Sequence, residues 1–249
     1  LYGLGDLDSR FRPQTVWYGW RKGGRLKAAV LLYRGVDPPA LLALDDSATA
    51  EVLLVLQEAL QLLPDRLQCH LSPGLTDALA PSYRLAAAVP HLKMGLVAPS
   101  LPNEAPPASA QRLGPGDGDE LFALYQVAYP DNAYDPALLA TRRFWEVRLD
   151  GRLVSAAGVH VYSARYRVAA LGSIATHPGY RGRGLARAAT AALCRDLLPD
   201  VDHIGLNVRS DNAAAIACYR ALGFERTHDY VELEARRYRE DGGGLEGDS

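Results

Sequence analysis

Lysine is almost absent from this chain. Lys22, Lys27 and Lys93 are the only three, and arginine carries the remaining positive charge. That is a compositional bias with no functional content of its own. A surplus of either sign is missing too: the net charge is −2 and the pI about 6.3. No global basic field would recruit nucleic acid or an anionic membrane, and neither partner is expected. Cysteine is scarce, at Cys69, Cys194 and Cys218, far apart and in no metal-ligand spacing. No metal is expected, and the usage fits a reducing compartment such as the cytoplasm. Cys194 and Cys218 lie in apolar helical segments, where a cysteine is usually a small hydrophobe. Long apolar runs are also missing, the best of them being broken by Gln, Asp or Pro. No leader-like segment is evident, which carries little weight in a sequence that opens at Leu1.

What is present suffices for two modest domains or one large one: 249 residues, 48% of them hydrophobic. Residues 98–118 are rich in Pro, Gly, Ala and Ser and divide the chain. Residues 98–110 read as a linker, and Gln111 to Leu113 could already be a short strand. Residues 239–249 read as a flexible tail. Between them the pattern alternates. A helix is expected over Asp119–Tyr129 and a short one after Pro136. Strands are expected over Phe144–Leu149 and Leu153–Tyr162, joined at an Asp150-Gly151 turn, and over Tyr166–Ala175. A helix follows from Leu185, then a strand Ile204–Val208, a helix Asn212–Leu222 and a strand from Phe224. Gly223 stands where a helix end favours a left-handed residue.

Residues 1–97 repeat this plan faintly. Gly24-Arg25-Leu26 before an apolar run resembles Gly151-Arg152-Leu153, and Leu62-Leu63-Pro64-Asp65 echoes Leu197-Leu198-Pro199-Asp200. The segment ending Ser82-Tyr83-Arg84 parallels the one ending Cys218-Tyr219-Arg220. The first match is offset by 127 residues and the tyrosine match by 136, so the first half lacks nine residues between them. Between its Leu41–Leu44 strand and Glu51–Leu62 helix stands only Asp45 to Ala50, without glycine or arginine. An internal duplication with one degenerate copy is the expectation.

The second copy holds the chemistry. Ala175 to Leu197 reads as a strand end, a loop with Gly182 and Gly184 around Arg183, and a helix whose Leu185, Ala188, Ala189, Ala192, Leu193 and Leu197 share a face. A glycine-rich loop opening a helix aims backbone N–H groups and the positive end of the helix dipole at one spot, an arrangement suited to phosphate. Arg181 and Arg183 add positive charge there. Some thirty residues on, Asn207 and Asn212 are two of only four asparagines, and Asn212, Ala215, Ile216 and Tyr219 share a helical face. Asn212 could hold one part of an elongated ligand and Tyr219 another; alone, the first reads as an N-cap and the second as a core aromatic. There is no Gly-Lys-Ser/Thr, and a dinucleotide pattern fails at Arg187.

Over about residues 111–238 these two motifs together resemble the acyl-CoA-binding core of the GCN5-related N-acetyltransferase (GNAT) superfamily. The resemblance implies an α/β (α+β) protein of two GNAT-like mixed-sheet domains in tandem, 1–97 degenerate and 111–238 active. It implies acetyl-CoA as co-substrate. Ile174, Ala175 and Thr176 would pair with the pantetheine arm, and the N–H groups from Arg181 through Gly182, Arg183, Gly184 and Leu185 to Ala186 would wrap the pyrophosphate. Asn207 and Asn212 would contact the cofactor, and Tyr219 would protonate the departing thiolate. The acceptor would be a small-molecule amine or a protein or peptide amine, and the protein a monomer or homodimer. One element departs from the family: the strand position that often bears a carboxylate is Ser173, and no Asp or Glu lies between Asp150 and Asp196. A base would then be His160, His177, a water held by Ser173, or nothing if the amine arrives neutral. Gly179 stands where Gln or Arg is frequent. The competing reading is a CoA-binding sensor or scaffold without catalysis. RNA binding by Arg181–Arg187 would need aromatic interleaving, which only Tyr180 offers.

Overall fold

The computed structural model describes residues 2–44, 49–97, 99, 101, 110–130, 132 and 134–238. Most of the linker, the Asp45–Ala48 stretch of the first copy and the whole tail lie outside the described residues. In chain order the first half contains β1 (Thr15–Lys22), β2 (Arg25–Tyr33), β3 (Ala40–Ala43), α1 (Thr49–Ala59), β4 (Arg66–Leu71), β5 (Tyr83–Leu85) and β6 (Val89–Leu96). The second contains β7 (Ala110–Arg112), α2 (Gly118–Ala128), β8 (Trp145–Leu149), β9 (Arg152–Ser163), β10 (Val168–Thr176), α3 (Leu185–Leu197), β11 (His203–Arg209), α4 (Ala213–Arg220) and β12 (Phe224–Arg237). The segment after Pro136 is a 3-10 turn, Pro136–Thr141, rather than a longer helix. The Asp150-Gly151 turn has both residues at positive φ, as the twist of a tight hairpin requires.

The two halves share one pairing scheme. β1–β2 and β2–β3 are antiparallel and β3–β4 parallel, just as β8–β9 and β9–β10 are antiparallel and β10–β11 parallel. Two mixed-sheet units of one topology are therefore present. Their compact boundaries cut across chain order: one unit is Leu1–Pro13 with His91–Asp229, the other Gln14–Pro90 with Tyr230–Ser249. The last strand of each half reaches across chain order. In the first unit β6 pairs antiparallel with β11, Gly205↔Gly95 through Arg209↔His91. In the second, β12 from Val231 pairs antiparallel with β4.

The second unit buries Val52, Val55 and Leu56 of α1 against Val30, Leu32, Leu41, Leu67 and Tyr83. Tyr83, the counterpart of Tyr219 in the repeat, is fully buried at the start of β5. Its hydroxyl donates to Pro64 O at 2.9 Å, and the Arg237 guanidinium stacks on its ring at 4.6 Å.

In the first unit the expected face of α3 is buried, and so are Thr190, Ala191 and Cys194, because the helix packs across β7 to β10. Arg143 ties its C-terminal end down through Asp196 (2.9 Å) and Asp200. The N-terminal segment joins this unit, with a 3-10 turn over Tyr2–Leu7 lying across β9, β10 and β11. A side chain at Gly5 would strike Val161 and Val168. Asp8 accepts a hydrogen bond from Ser163 Oγ at 2.6 Å. Asp6 is buried by this packing, which pushes its carboxyl up from 3.8 to about 6 despite the opposing pull of Lys93.

Ionised Asp6 therefore costs stability. Between the unfolded value near 3.8 and the folded value near 6 the native chain binds more protons, so stability falls as pH rises through that window. Asp6→Asn is expected to raise the unfolding free energy at pH 7.5 by up to about 3 kcal/mol, with a smaller gain at pH 4.5. Thermal melts at the two pH values test this; an equal gain at both would remove burial of the charge as the cause.

Candidate active site

The site begins where pairing stops. β10 and β11 run parallel from Val168↔His203 to Leu171↔Leu206 and then part. Beyond that point β10 pairs with β9 through Gly172↔Gly158, Ala175↔Ala156 and Thr176↔Ser155. Asn207, Val208 and Arg209 pair with Lys93, Leu92 and His91 of β6. A wedge opens between the two strands, with Ile174–Thr176 on one edge and Asn207–Arg209 on the other. Backbone N–H and C=O groups that face such a gap need a partner, and an extended ligand can act as the missing strand.

Two compensating bulges shape the β10 edge. Ala170 opposes Val161 but Leu171 opposes Val159, so His160 is an extra residue in β9. Gly172 opposes Gly158 and Ala175 opposes Ala156, so Ser173 and Ile174 together face Ala157 and β10 carries the extra residue in turn. Ser173 takes a left-handed conformation, φ +52°, and is 2% exposed. All three of its polar groups are engaged. Its N–H donates to His160 Nε2 at 3.1 Å, its carbonyl accepts from Tyr125 Oη at 2.8 Å, and its Oγ donates to Asn132 Oδ1 at 3.3 Å. The imidazole lies over Gly172, where a Cβ would coincide with the ring.

His160 and Ser173 are thus hydrogen-bonded to each other. Burial lowers the His160 pKa, and the lone pair of Nε2 is occupied by the Ser173 N–H. His177 is also committed: its Nδ1 accepts from Gly179 N at 3.2 Å and caps the short turn Pro178–Tyr180.

The loop into α3 follows. Gly182 and Gly184 have φ of +77° and +75°, which explains the glycines, and Gly184 is the N-cap of α3. The helical ladder starts with Ala188 N to Gly184 O at 3.0 Å. The N–H groups of Leu185, Ala186 and Arg187 precede that ladder and point out of the helix end. The arginine side chains behave differently from the sequence expectation. Arg181 is turned inward, donating from Nε to Thr176 O and from Nη2 to Ala128 O, both at 3.2 Å. Arg183 stacks its guanidinium on the Tyr180 ring at 5.3 Å. The positive potential at this loop comes chiefly from backbone N–H groups and the helix dipole.

Across the wedge, Asn212 caps α4: its Oδ1 accepts from Ala215 N at 3.1 Å. The cap leaves the amide NH2 of this exposed residue without a partner among the described residues. Asn207 is exposed at the wedge edge, in register with Lys93. Tyr219 is 8% exposed and meets Phe224 edge-on at 6.1 Å. Burial above all, with Cys218 and Tyr129 adding to it, raises its pKa, so the phenol stays protonated. Its hydroxyl has no hydrogen-bond partner among the described residues. Tyr129, at the end of α2, is close enough to influence both Tyr219 and Arg209. Sequence reasoning misses Tyr125, whose hydroxyl holds the bulge; its apolar helical spacing marks it only as core. Among the described residues no cluster of three metal-ligating side chains occurs, and no helix is long and apolar enough to cross a membrane.

Known proteins match this arrangement. The model of the acetyltransferase (GNAT) family matches residues 116–224. The N-alpha-acetyltransferase RimI of Mycobacterium tuberculosis is 35% identical over 122 residues, covering 46% of this chain and 70% of that protein. An uncharacterized protein of Mycobacterium leprae is 29% identical over 93% of this chain, which spans 64% of that protein's length. In fold, a GNAT-family crystal structure from Novosphingobium aromaticivorans superposes with a TM-score of 0.62 at 23% identity, covering 95% of this chain and 96% of that one. A tandem GNAT protein from the clavulanic acid biosynthesis pathway does so with 0.58 at 18%, covering 96% and 88%.

The Asn212 cap yields a test that separates its two roles. Asn212→Ala is expected to lower stability by about 1 kcal/mol, and Asn212→Asp, which keeps the accepting oxygen, to leave it nearly unchanged. Chemical denaturation of the three proteins measures this; equal stability of all three would show that the cap contributes nothing.

Proposed function

The chain belongs to the acetyltransferase (GNAT) family, and from that premise we propose that it transfers an acetyl group from acetyl-CoA to a primary amine. One observation carries the reading. Tyr219, kept protonated by burial and with no hydrogen-bond partner for its hydroxyl among the described residues, neighbours Tyr129, which is close enough to influence Arg209 on the wedge edge. An elongated thioester carrying a pyrophosphate fits that layout end to end.

In this reading the pantetheine arm pairs with Ile174–Thr176 as an added strand, and the pyrophosphate lies on the N–H groups from Arg181 to Ala186. Asn212 offers its amide NH2 to the cofactor, and Asn207 borders it. The amine nitrogen attacks the thioester carbonyl, and the negative charge that develops on oxygen is met by strand-edge N–H groups. The C–S bond then breaks, Tyr219 gives its proton to the thiolate, and the proton lost by the new amide nitrogen restores the phenol, directly or through water. His160 and Ser173 are spoken for by each other, so we assign neither as base. The amine reacts from its neutral fraction, its first proton leaving to water. Residues 1–97 and 111–238 are then a degenerate and an active copy of one domain. The acceptor is a small-molecule amine or the amine of a protein or peptide.

CoA release with a panel of polyamines, amino sugars, aminoacyl compounds and peptide N-termini tests the activity. Turnover of at least one class is expected. Tight acetyl-CoA binding without turnover on any amine would overturn the enzyme in favour of a CoA-binding scaffold. Tyr219→Phe is expected to cut kcat about 10²- to 10³-fold with little change in acetyl-CoA affinity. Unchanged turnover would take Tyr219 out of the mechanism.

A further inference from the structure

Ser173 is a non-glycine residue held at φ +52°, a conformation that an L side chain disfavours and a short bulge does not by itself enforce. Something must hold it there, and the structure shows what does. Three elements reach this one residue: β9 through His160, α2 through Tyr125, and the segment after α2 through Asn132. Gly172 adds a fourth condition, since any side chain there would occupy the space of the imidazole. The two bulges are coupled as well. The extra residue in β9 is His160 itself, so the register shift that displaces His160 also delivers its Nε2 to the Ser173 N–H.

We propose that His160 and Tyr125 are positioning residues, with Asn132 in support: they clamp Ser173 in its left-handed bulge and so aim the backbone of Ile174–Thr176 at the acyl group. The proposal rests on the reading that the thioester lies along that edge. His160 acts in its neutral form as an acceptor, a role different from that of a base. With the N–H of Ser173 pointed at the imidazole, the peptide groups that follow are rotated toward the wedge. Without the clamp Ser173 would relax toward negative φ, and the edge would swing out of line with β11. Positioning errors of about 1 Å can cost on the order of 100-fold in rate without abolishing binding.

Glycine provides the decisive test, because it holds a positive φ unaided. The variants are His160→Phe, which keeps a ring over Gly172 but offers no acceptor, and Tyr125→Phe, which loses only the hydroxyl. Each is made alone and combined with Ser173→Gly. Each single variant is expected to lower kcat about 10- to 100-fold, with the KM for acetyl-CoA changed by about 3-fold or less. Ser173→Gly should restore most of the lost kcat in both backgrounds. Amide hydrogen exchange over residues 168–176 of the free protein should quicken in the single variants; it needs no substrate and is read even if no acceptor amine is found. Unchanged exchange in both variants would overturn the clamp, whatever the activity. Lowered kcat that Ser173→Gly fails to raise in either background would overturn it too, assigning His160 and Tyr125 a role other than holding the bulge. Absence of turnover in the unaltered protein, with exchange behaving as expected, would instead count against the transferase reading alone.

Discussion

The cleft depends on one broken pairing. A parallel sheet gains most when its ladder is continuous, yet β10 and β11 abandon each other after Leu171↔Leu206, four pairs from the start. Backbone groups left at such an edge are costly unless something satisfies them. The protein compensates on the outer side of each strand: β9 continues to pair with β10 up to Thr176, and β6 with β11 up to Arg209. Both strands therefore keep a partner on one side where they part. The wedge is the place where β10 and β11 stop pairing with each other, and the bulge at Ser173 lies at its start.

The same economy governs the loop before α3, which we propose holds the pyrophosphate through its backbone although Arg181 and Arg183 mark it in the sequence. Arg181 is a brace joining the end of β10 to the end of α2, since Thr176 O and Ala128 O both accept from its guanidinium. That brace fixes the distance between the strand edge and α2, where Tyr129 begins the far wall. The positive φ of Gly182 and Gly184 turns the chain into α3, whose first N–H groups precede the helical ladder. A rigid array of N–H dipoles needs no rearrangement when an anion arrives, which is the advantage of backbone over a flexible side chain.

How much of the fold and the site is legible in sequence follows from the range of each interaction. Local features come through. The face of α3, the Asp150-Gly151 turn, the left-handed Gly223 and the two glycines of the anion loop each depend on residues within a few positions of one another. The order of strands comes through by repetition, since two copies of one pattern reinforce each other. Long-range facts do not. Nothing local says that Leu1–Pro13 packs with the second half, that β6 from His91 joins the unit of the second half, or that β12 from Tyr230 joins the other. His160 resembles a base in the sequence because its neighbours along β9 are apolar and give the imidazole nothing to bond. Its role becomes visible only with the bulge in β10, which supplies a donor thirteen residues away. Asn212 and Tyr219 do share one face of a helix, and the cap at Asn212 coexists with a free amide NH2 beside the wedge.

The two tyrosines of the repeat show why topology and chemistry separate. Tyr83 and Tyr219 end equivalent segments in units of the same pairing scheme, and both are buried. Tyr83 has spent its hydroxyl: it donates to Pro64 O and lies beneath Arg237, which itself donates to Leu60 O and Leu63 O. That network makes Tyr83 a strut, and a phenol whose proton is already given to a carbonyl has none to offer a leaving group. Tyr219 has an aromatic edge for company and, among the described residues, no partner for its hydroxyl. Where the proton of Tyr83 is engaged by a carbonyl, that of Tyr219 meets no acceptor among the described residues. In the transferase we propose, the same repeat position is a strut in one copy and a proton donor in the other.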